Sequence, residues 1–259
     1  MDYEYRGLVA AAWDLLRGDT SNWSDRHFYL DVIRAEGEPV LDVGCGTGRL
    51  LLDYLTLGID VDGVDASPEM LARCREKGAR LGLAPTLHQQ RMEDIDLPRR
   101  YRTILVPSSS FQLVLDPDDA RRALRRLADQ LAPGGVVVLP FMLIEEGEHE
   151  ESWERVREDG ALVRRRLVSR YDPATQLEDT DDTYEVVVDG EVVAQERHVR
   201  SPATRAYTPE QALALLDDAG LTSDRMLEGF TQETYAGGWI FTIVARRRSE
   251  ATGAWAAAE

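Results

Sequence analysis

The run V-L-D-V-G-C-G-T-G-R-L, Val40 to Leu50, restricts what this chain can fold into more than any other stretch. A short buried-type strand over Pro39–Val43 meets three glycines spaced two apart, and a helical pattern follows over Arg49–Leu57. A loop so poor in side chains between a strand and a helix lets a ligand lie against bare backbone, and its N–H groups and helix N-terminus would offer donors to an anionic group. The dinucleotide fingerprint needs glycines at the first, third and sixth places. Gly44 and Gly46 fit, but Arg49 holds the sixth place and Gly48 comes one residue early. No Gly-Lys-Ser/Thr follows, which excludes a Walker-type loop.

The next predicted strand, Ile59–Val64, ends in Asp65, about 20 residues past the loop, where an acidic side chain can accept both hydroxyls of a ribose. Ser67-Pro68, Asp116-Pro117 and Thr208-Pro209 each place a capping oxygen before proline, so helices are expected from about 68 to 81, from 117 with Ala120, Leu124, Leu127 and Leu131 on one face, and from 209 to 219. Thr86–Gln89 and Thr103–Val106 read as the third and fourth strands. Pro133-Gly134-Gly135 breaks the chain before a fifth, Val136–Leu143. Strands alternating with helices over about 110 residues imply a parallel sheet with helices on both faces.

After Ile144 the period changes. E-E-G-E-H-E-E-S reads as an acidic loop; Leu162–Tyr171 and Gln176–Val188 read as strands, and Asp189-Gly190 as a two-residue hairpin turn. Trp239–Ala245 is the last expected strand. The division expected is a helical cap over 1–35, an α/β core over 36–145 and 207–248, an antiparallel lid over 146–206, and a flexible tail over 249–259.

The glycine loop, V-D-G-V-D-A-S-P-E-M-L, and L-A-P-G-G before the fifth strand together resemble the class I S-adenosylmethionine-dependent methyltransferases, in particular the bacterial small-molecule type with an antiparallel lid. The resemblance spans roughly 36–143, and 207–246 more loosely. It implies a Rossmann-like sheet and S-adenosylmethionine as cofactor. It implies that Gly44, Cys45 and Gly46 pack on the methionine part, Asp42 helps hold the ammonium group, Asp65 binds the ribose and Ala66 lies beside the adenine. Met92 and Glu93 stand where the family contacts the adenine, and Arg91 stands where it usually has an acid. Pro107 and Ser108 fall beside the reacting methyl, and Ser109, Gln112 and Tyr207 are acceptor-side candidates. The lid is expected to recognise the acceptor through residues such as Arg164, Arg166, Tyr171, Tyr184, Arg200 and Arg205.

The expected reaction is in-line methyl transfer to a small molecule, nitrogen ahead of oxygen or carbon. A non-catalytic cofactor-binding protein and an aminopropyl transferase remain as alternatives. No catalytic residue stands out; His198, on a predicted lid strand, is the candidate base. The histidines show no metal-ligand spacing, and Glu178–Asp182 reads as a solvated lid edge, so no metal is expected. The net charge of −17 argues against nucleic acid, and the arginines at 121–126 and 164–166 read as solvated faces. No membrane segment or signal peptide is visible, and Cys45 and Cys74 do not form a disulfide framework, so a cytoplasmic protein is expected, with homodimerisation left open.

Overall fold

The structure is a computed structural model and describes residues 5–248; the expected tail at 249–259 lies outside them. Two helices, α1 (Gly7–Arg17) and α2 (Ser24–Glu36), precede β1 (Val40–Val43), α3 (Leu51–Thr56), β2 (Val61–Asp65), α4 (Pro68–Arg80), β3 (Thr86–Gln89), β4 (Tyr101–Leu105), α5 (Pro117–Gln130) and β5 (Leu131–Met142). Four long strands follow: β6 (Gly147–Val156), β7 (Leu162–Asp172), β8 (Leu177–Val188) and β9 (Glu191–Arg205). The chain then forms α6 (Pro209–Asp218), β10 (Leu221–Glu228) and β11 (Ile240–Arg247).

The helix starts follow the local signals. Ser67 Oγ accepts from the Met70 N–H, Asp116 accepts from the Asp118 and Asp119 N–H groups, and Thr208 and Gln211 form a reciprocal capping box. Ala120, Leu124 and Leu127 are buried on one face of α5, while Leu131 is the first residue of β5.

The central sheet has seven strands in the order β10-β11-β5-β4-β1-β2-β3. The five strands β1 to β5 pair in parallel, and the β10–β11 hairpin adds to β5 antiparallel. The chain leaves β1 first toward β2 and later returns on its other side as β4. This reversal opens a crevice beyond the carboxyl ends of β1 and β4, where ligands of open α/β sheets bind. The two faces of the sheet are covered by separate apolar clusters, one around Ile104, Phe111, Leu124 and Phe141, the other around Tyr29, Leu51, Tyr54 and Val138. A second sheet, β6-β7-β8-β9, is entirely antiparallel. A third apolar cluster joins it to α1, with Val9 and Ala12 against Val163 and Tyr184.

Three elements differ from expectation. Residues 147–156, expected as an acidic loop, form β6. Its acidic side chains meet arginines across the ladder: Glu148 pairs with Arg170, Glu150 with Arg166 and Glu154 with Arg164. β5 starts before Pro133-Gly134-Gly135. The motif lies in an irregularity where the partner register shifts between Tyr101 and Thr103, and a Cβ on Gly135 would come within 2.8 Å of the Tyr101 carbonyl oxygen. β10 was not foreseen. Its pattern is polar, because of its eight residues only Leu221 and Leu227 are buried.

Candidate functional site

A cavity lies over the carboxyl ends of β1, β2 and β4. Its floor is Asp42 to Leu50 except Gly48, with Asp65, Ala66, Gln90 and Met92 on one side and Pro107 to Ser110 on the other. Tyr5, Trp13 and Arg17 from the α1 segment close it from above, and Thr204 is the contribution of the antiparallel sheet.

The backbone donors of the glycine loop have protein partners. Gly44 N–H (2.8 Å) and Cys45 N–H (3.1 Å) donate to the Val64 carbonyl, and Gly48 N–H donates to the Cys45 carbonyl. Gly46 N–H donates to Asp65 Oδ2 at 2.8 Å, and Ser67 N–H to Asp65 Oδ1 at 2.8 Å. The expected cradle of free donors for an anion is therefore absent at these residues: the loop offers close approach instead. Gly44 has φ +72°, and a Cβ there would sit 2.9 Å from Ser110 Oγ. Only glycine meets both conditions cheaply.

Asp42 is 1 % exposed, and its Oδ1 has no hydrogen-bond partner. Burial pushes its carboxyl up to about 7; the Asp65 charge adds to this and Arg49 opposes it. A buried carboxylate with one oxygen unsatisfied is costly and calls for a cation. On the opposite wall Arg17 has the complementary problem. Burial and the neighbouring Arg49 charge lower its guanidinium to about 10. Its guanidinium carbon lies 4.1 Å from the Trp13 ring centroid, and it forms no ion pair or hydrogen bond with any described residue. The cavity thus presents a buried carboxylate oxygen without a hydrogen-bond partner and a guanidinium without an ion-pair partner among the described residues, the complement of an amino acid's ammonium and carboxylate. Together with Asp65 and the bare loop, this set fits S-adenosylmethionine.

The loop after β4 is strained. Ser108 (φ 54°) and Ser109 (φ 52°) are both left-handed without being glycine, a cost of about 1–3 kcal/mol each. Ser110 holds them there: its N–H and its Oγ both donate to the Pro107 carbonyl, at 3.0 and 2.6 Å.

Of the residues singled out from the sequence, Asp42, Gly44, Cys45, Gly46, Asp65, Ala66, Met92, Pro107, Ser108 and Ser109 lie on the cavity wall. Glu93, Gln112, Tyr207 and His198 are not among the wall residues. Glu93 is buried in an ion pair with Arg91 at 2.8 Å, and its carbonyl accepts from Arg122. The Gln112 amide is fully engaged, donating to the Met142 and Arg205 carbonyls and accepting from the Met142 N–H. It ties both roots of the antiparallel sheet to the 108–113 loop. Tyr207 packs between Phe111 and Phe141, its hydroxyl buried without a partner. His198 lies against Tyr184 with Nε2 3.2 Å from Glu196 Oε2. Sequence reasoning did not single out Tyr5, Trp13, Arg17, Thr47 and Gln90. The aromatic residues of the first 35 positions were the visible signal, without a period to aim them.

Residues 40–135 match the model of a methyltransferase domain family. Over those residues the chain is similar to methyltransferase domains. A dTDP-3-amino-3,4,6-trideoxy-α-D-glucopyranose N,N-dimethyltransferase of Streptomyces venezuelae is 34 % identical over 52 % of this chain and 57 % of its own length. A glycine/sarcosine N-methyltransferase of Halorhodospira halochloris is 31 % identical over 51 % of each chain. The chain thus spans about half the length of the curated relatives it matches. Among solved structures, S-adenosylmethionine-bound CalS10, an amino pentose methyltransferase of Micromonospora echinaspora, superposes with TM-score 0.67 at 25 % identity, covering 93 % of this chain and 97 % of that one. The matched residues lie in the Rossmann-like sheet, to which the chain adds an antiparallel one, as the motifs implied. Among the described residues no helix is long and apolar enough to cross a membrane, and no group of three His, Cys, Asp or Glu side chains is placed to hold a metal.

Proposed function

We propose that this protein transfers a methyl group from S-adenosylmethionine to a nitrogen of a small molecule. The buried, unsatisfied Oδ1 of Asp42, beside a Gly44 backbone with no room for a side chain, carries the reading. Asp42 would hold the ammonium, Arg17 the carboxylate and Asp65 the ribose hydroxyls, while Gly44 to Gly46 lie against the thioether chain. Ala66 and Met92 would flank the adenine. When bound, the cofactor supplies an already activated methyl on a sulfonium.

The protein's task is then positioning. Ser108 to Ser110 fix the wall beside the methyl, and α1 with Thr204 excludes water. Alignment alone can supply on the order of 7 kcal/mol or more. As the C–S bond breaks and the C–N bond forms, positive charge passes to the acceptor nitrogen, which afterwards releases a proton to solvent. Nitrogen is favoured over oxygen because among the described residues no His or Lys lines the cavity, and the carboxylates that do, Asp42 and Asp65, both belong to the cofactor end. A hydroxyl acceptor would need a base within reach. The names of the similar proteins, amino-sugar and glycine N-methyltransferases, point the same way.

The same reading assigns residues 1–35 and 146–206 as cap and lid on the core at 36–145 and 207–248. It places the protein in the cytoplasm, and its charge of −17 sets nucleic acid aside as a partner. Calorimetry with S-adenosylmethionine tests the binding step: wild type binds it and Asp65→Ala loses at least tenfold. A turnover assay on matched amine and phenol panels tests the chemistry. Absence of binding to well-folded protein, or turnover of phenols only, overturns the reading.

A further inference from the structure

The wall opposite the glycine loop is a stack of two rings with a guanidinium at each end. The Arg200 guanidinium lies 4.8 Å from the Tyr5 ring centroid, Tyr5 lies 4.8 Å from Trp13, and Arg17 sits 4.1 Å over Trp13. Stacking on a ring holds a guanidinium's plane while leaving its N–H edge open to a ligand. Arg17 sits at the cofactor's amino-acid end. Arg200 sits at the other end of the stack, and its surroundings set it apart.

The chain carries a net charge of −17, and most arginines of the antiparallel sheet are matched to carboxylates. Arg164, Arg165, Arg166, Arg170 and Arg197 each form an ion pair, while Arg155 and Arg205 donate to the Glu154 and Leu115 carbonyls. Arg200 forms neither an ion pair nor a hydrogen bond with any described residue, and it lies on the Tyr5 ring. Register shows where it points. Thr204 pairs with Glu178 and Arg200 with Thr180, two positions apart on β8, so both project from the same face of the sheet despite the irregularity between them. Thr204 lines the cavity, and so does Tyr5 beneath Arg200. In an acidic chain, a half-buried guanidinium without a carboxylate partner among the described residues, at the edge of a binding cavity, is a site for a ligand's anion.

We propose that the methyl acceptor is an amine that also carries an anionic group, a carboxylate or a phosphate, and that Arg200 on the Tyr5 face binds that group. The proposal rests on the methyltransferase reading above and names its substrate class. A charge at this end would fix the acceptor's orientation, presenting the nitrogen toward Ser108 to Ser110 and the methyl.

The test uses full-length protein saturated with S-adenosylhomocysteine and titrated with matched amines. The pairs are β-alanine against β-alaninamide, phosphoethanolamine against ethanolamine, and a nucleoside-diphosphate amino sugar against the free amino sugar. The expected result is that at least one anionic member binds tenfold or more tightly than its neutral counterpart. Arg200→Gln removes that difference, Arg200→Lys keeps part of it, and S-adenosylmethionine affinity stays within twofold in both variants. Which pair responds separates carboxylate from phosphate. The proposal is overturned when no pair shows the difference, or when it survives in Arg200→Gln. Failure of wild type to bind S-adenosylmethionine or S-adenosylhomocysteine at all is a different failure, that of the methyltransferase reading itself.

Discussion

The two walls of the cavity are built on different physics. The core wall is backbone: Gly44, Cys45 and Gly46 present peptide edges whose N–H groups are already bonded to Val64 and Asp65, above a floor of buried strands. The facing wall is side chains, Tyr5, Trp13 and Arg17, on α1 and the residues just before it, fastened to the core by polar contacts. Asp14 accepts from Thr47 Oγ1 (2.6 Å) and Lys77 Nζ (3.1 Å), Ser67 Oγ donates to the Tyr5 carbonyl, and the Gly7 N–H donates to Glu69 at 2.8 Å. The apolar contacts of α1 are with the antiparallel sheet, to which the Leu8 N–H also donates, at Glu196 (2.8 Å). One wall recognises by shape and is rigid because the sheet is rigid; the other recognises by charge and aromatic faces. Substitutions should therefore fail differently on the two sides.

The largest effect is expected on the shape side. In Gly44→Ala the new Cβ meets Ser110 Oγ at 2.9 Å in a left-handed backbone. The expected loss of S-adenosylmethionine affinity is about 100-fold or more, near 3 kcal/mol, read by calorimetry. Gly82→Ala is the control: its φ is +71° but nothing lies within 4 Å. It should lower stability by about 1 kcal/mol and leave binding unchanged. Equal binding losses in both variants would mean that backbone strain, not close approach, governs the loop.

On the charge side, Arg17→Met keeps much of the apolar packing on Trp13 and removes the guanidinium. A charge-assisted pair with the cofactor carboxylate is worth about 1.5–3 kcal/mol, so affinity for S-adenosylmethionine should fall roughly 10- to 100-fold. Decarboxylated S-adenosylmethionine should bind wild type and variant alike. A variant that weakens both ligands equally would return Arg17 to a purely structural role.

The same contrast explains what could be read before the structure. Caps are local: Ser67, Asp116 and Thr208 announce their helices within four residues, and the glycine loop carries its meaning in eleven. β6 could not be recognised, because what makes a strand of Glu148, Glu150 and Glu154 is three arginines sixteen to twenty-two or ten positions away on β7. Gln112 looked like a site residue because it follows β4. Yet its amide is bound to Met142 and Arg205, and the latter is 93 positions distant. Arg17 is equally non-local: one arginine at the end of a helix signals nothing until Trp13 and the absence of a carboxylate partner among the described residues place it.

A smaller effect is expected from pH, and it joins the walls to the ligand. The Asp42 carboxyl is raised to about 7, so the free protein retains a proton that the unfolded chain, near 4, has already lost. Between those values the native state binds more protons than the unfolded one, and this group's contribution to stability falls as pH rises toward 7. A bound ammonium reverses the preference. Affinity for S-adenosylmethionine should therefore rise as pH increases through about 7, by up to tenfold per unit below it, and level off above. Asp42→Asn should bind weakly and flatten the profile. A wild-type profile flat from pH 5.5 to 8 would show that Asp42 does not face the ammonium.

The smallest expected effect comes from neighbouring residues on opposite faces of the antiparallel sheet. Arg165 and Arg166 sit side by side on β7, so they point to opposite sides. Arg165 turns toward α1: it pairs bidentately with Asp182, shortest at 2.8 Å, lies 4.7 Å from the Trp153 ring centroid, and is 26 % exposed. Arg166 pairs with Glu150 at 2.6 Å, with both side chains about 60 % exposed (60 % and 58 %). Water screens the outer pair and side-chain entropy opposes it; the inner pair leaves a partly buried carboxylate behind when its partner goes. Thermal unfolding should show Arg165→Gln destabilised by about 1–2 kcal/mol and Arg166→Gln indistinguishable from wild type, although the outer contact is the shorter of the two. If Arg166→Gln proved the more damaging, the outer ladder would be holding the sheet together, and the sheet's anchorage would lie in its exposed charges rather than in its packing on α1.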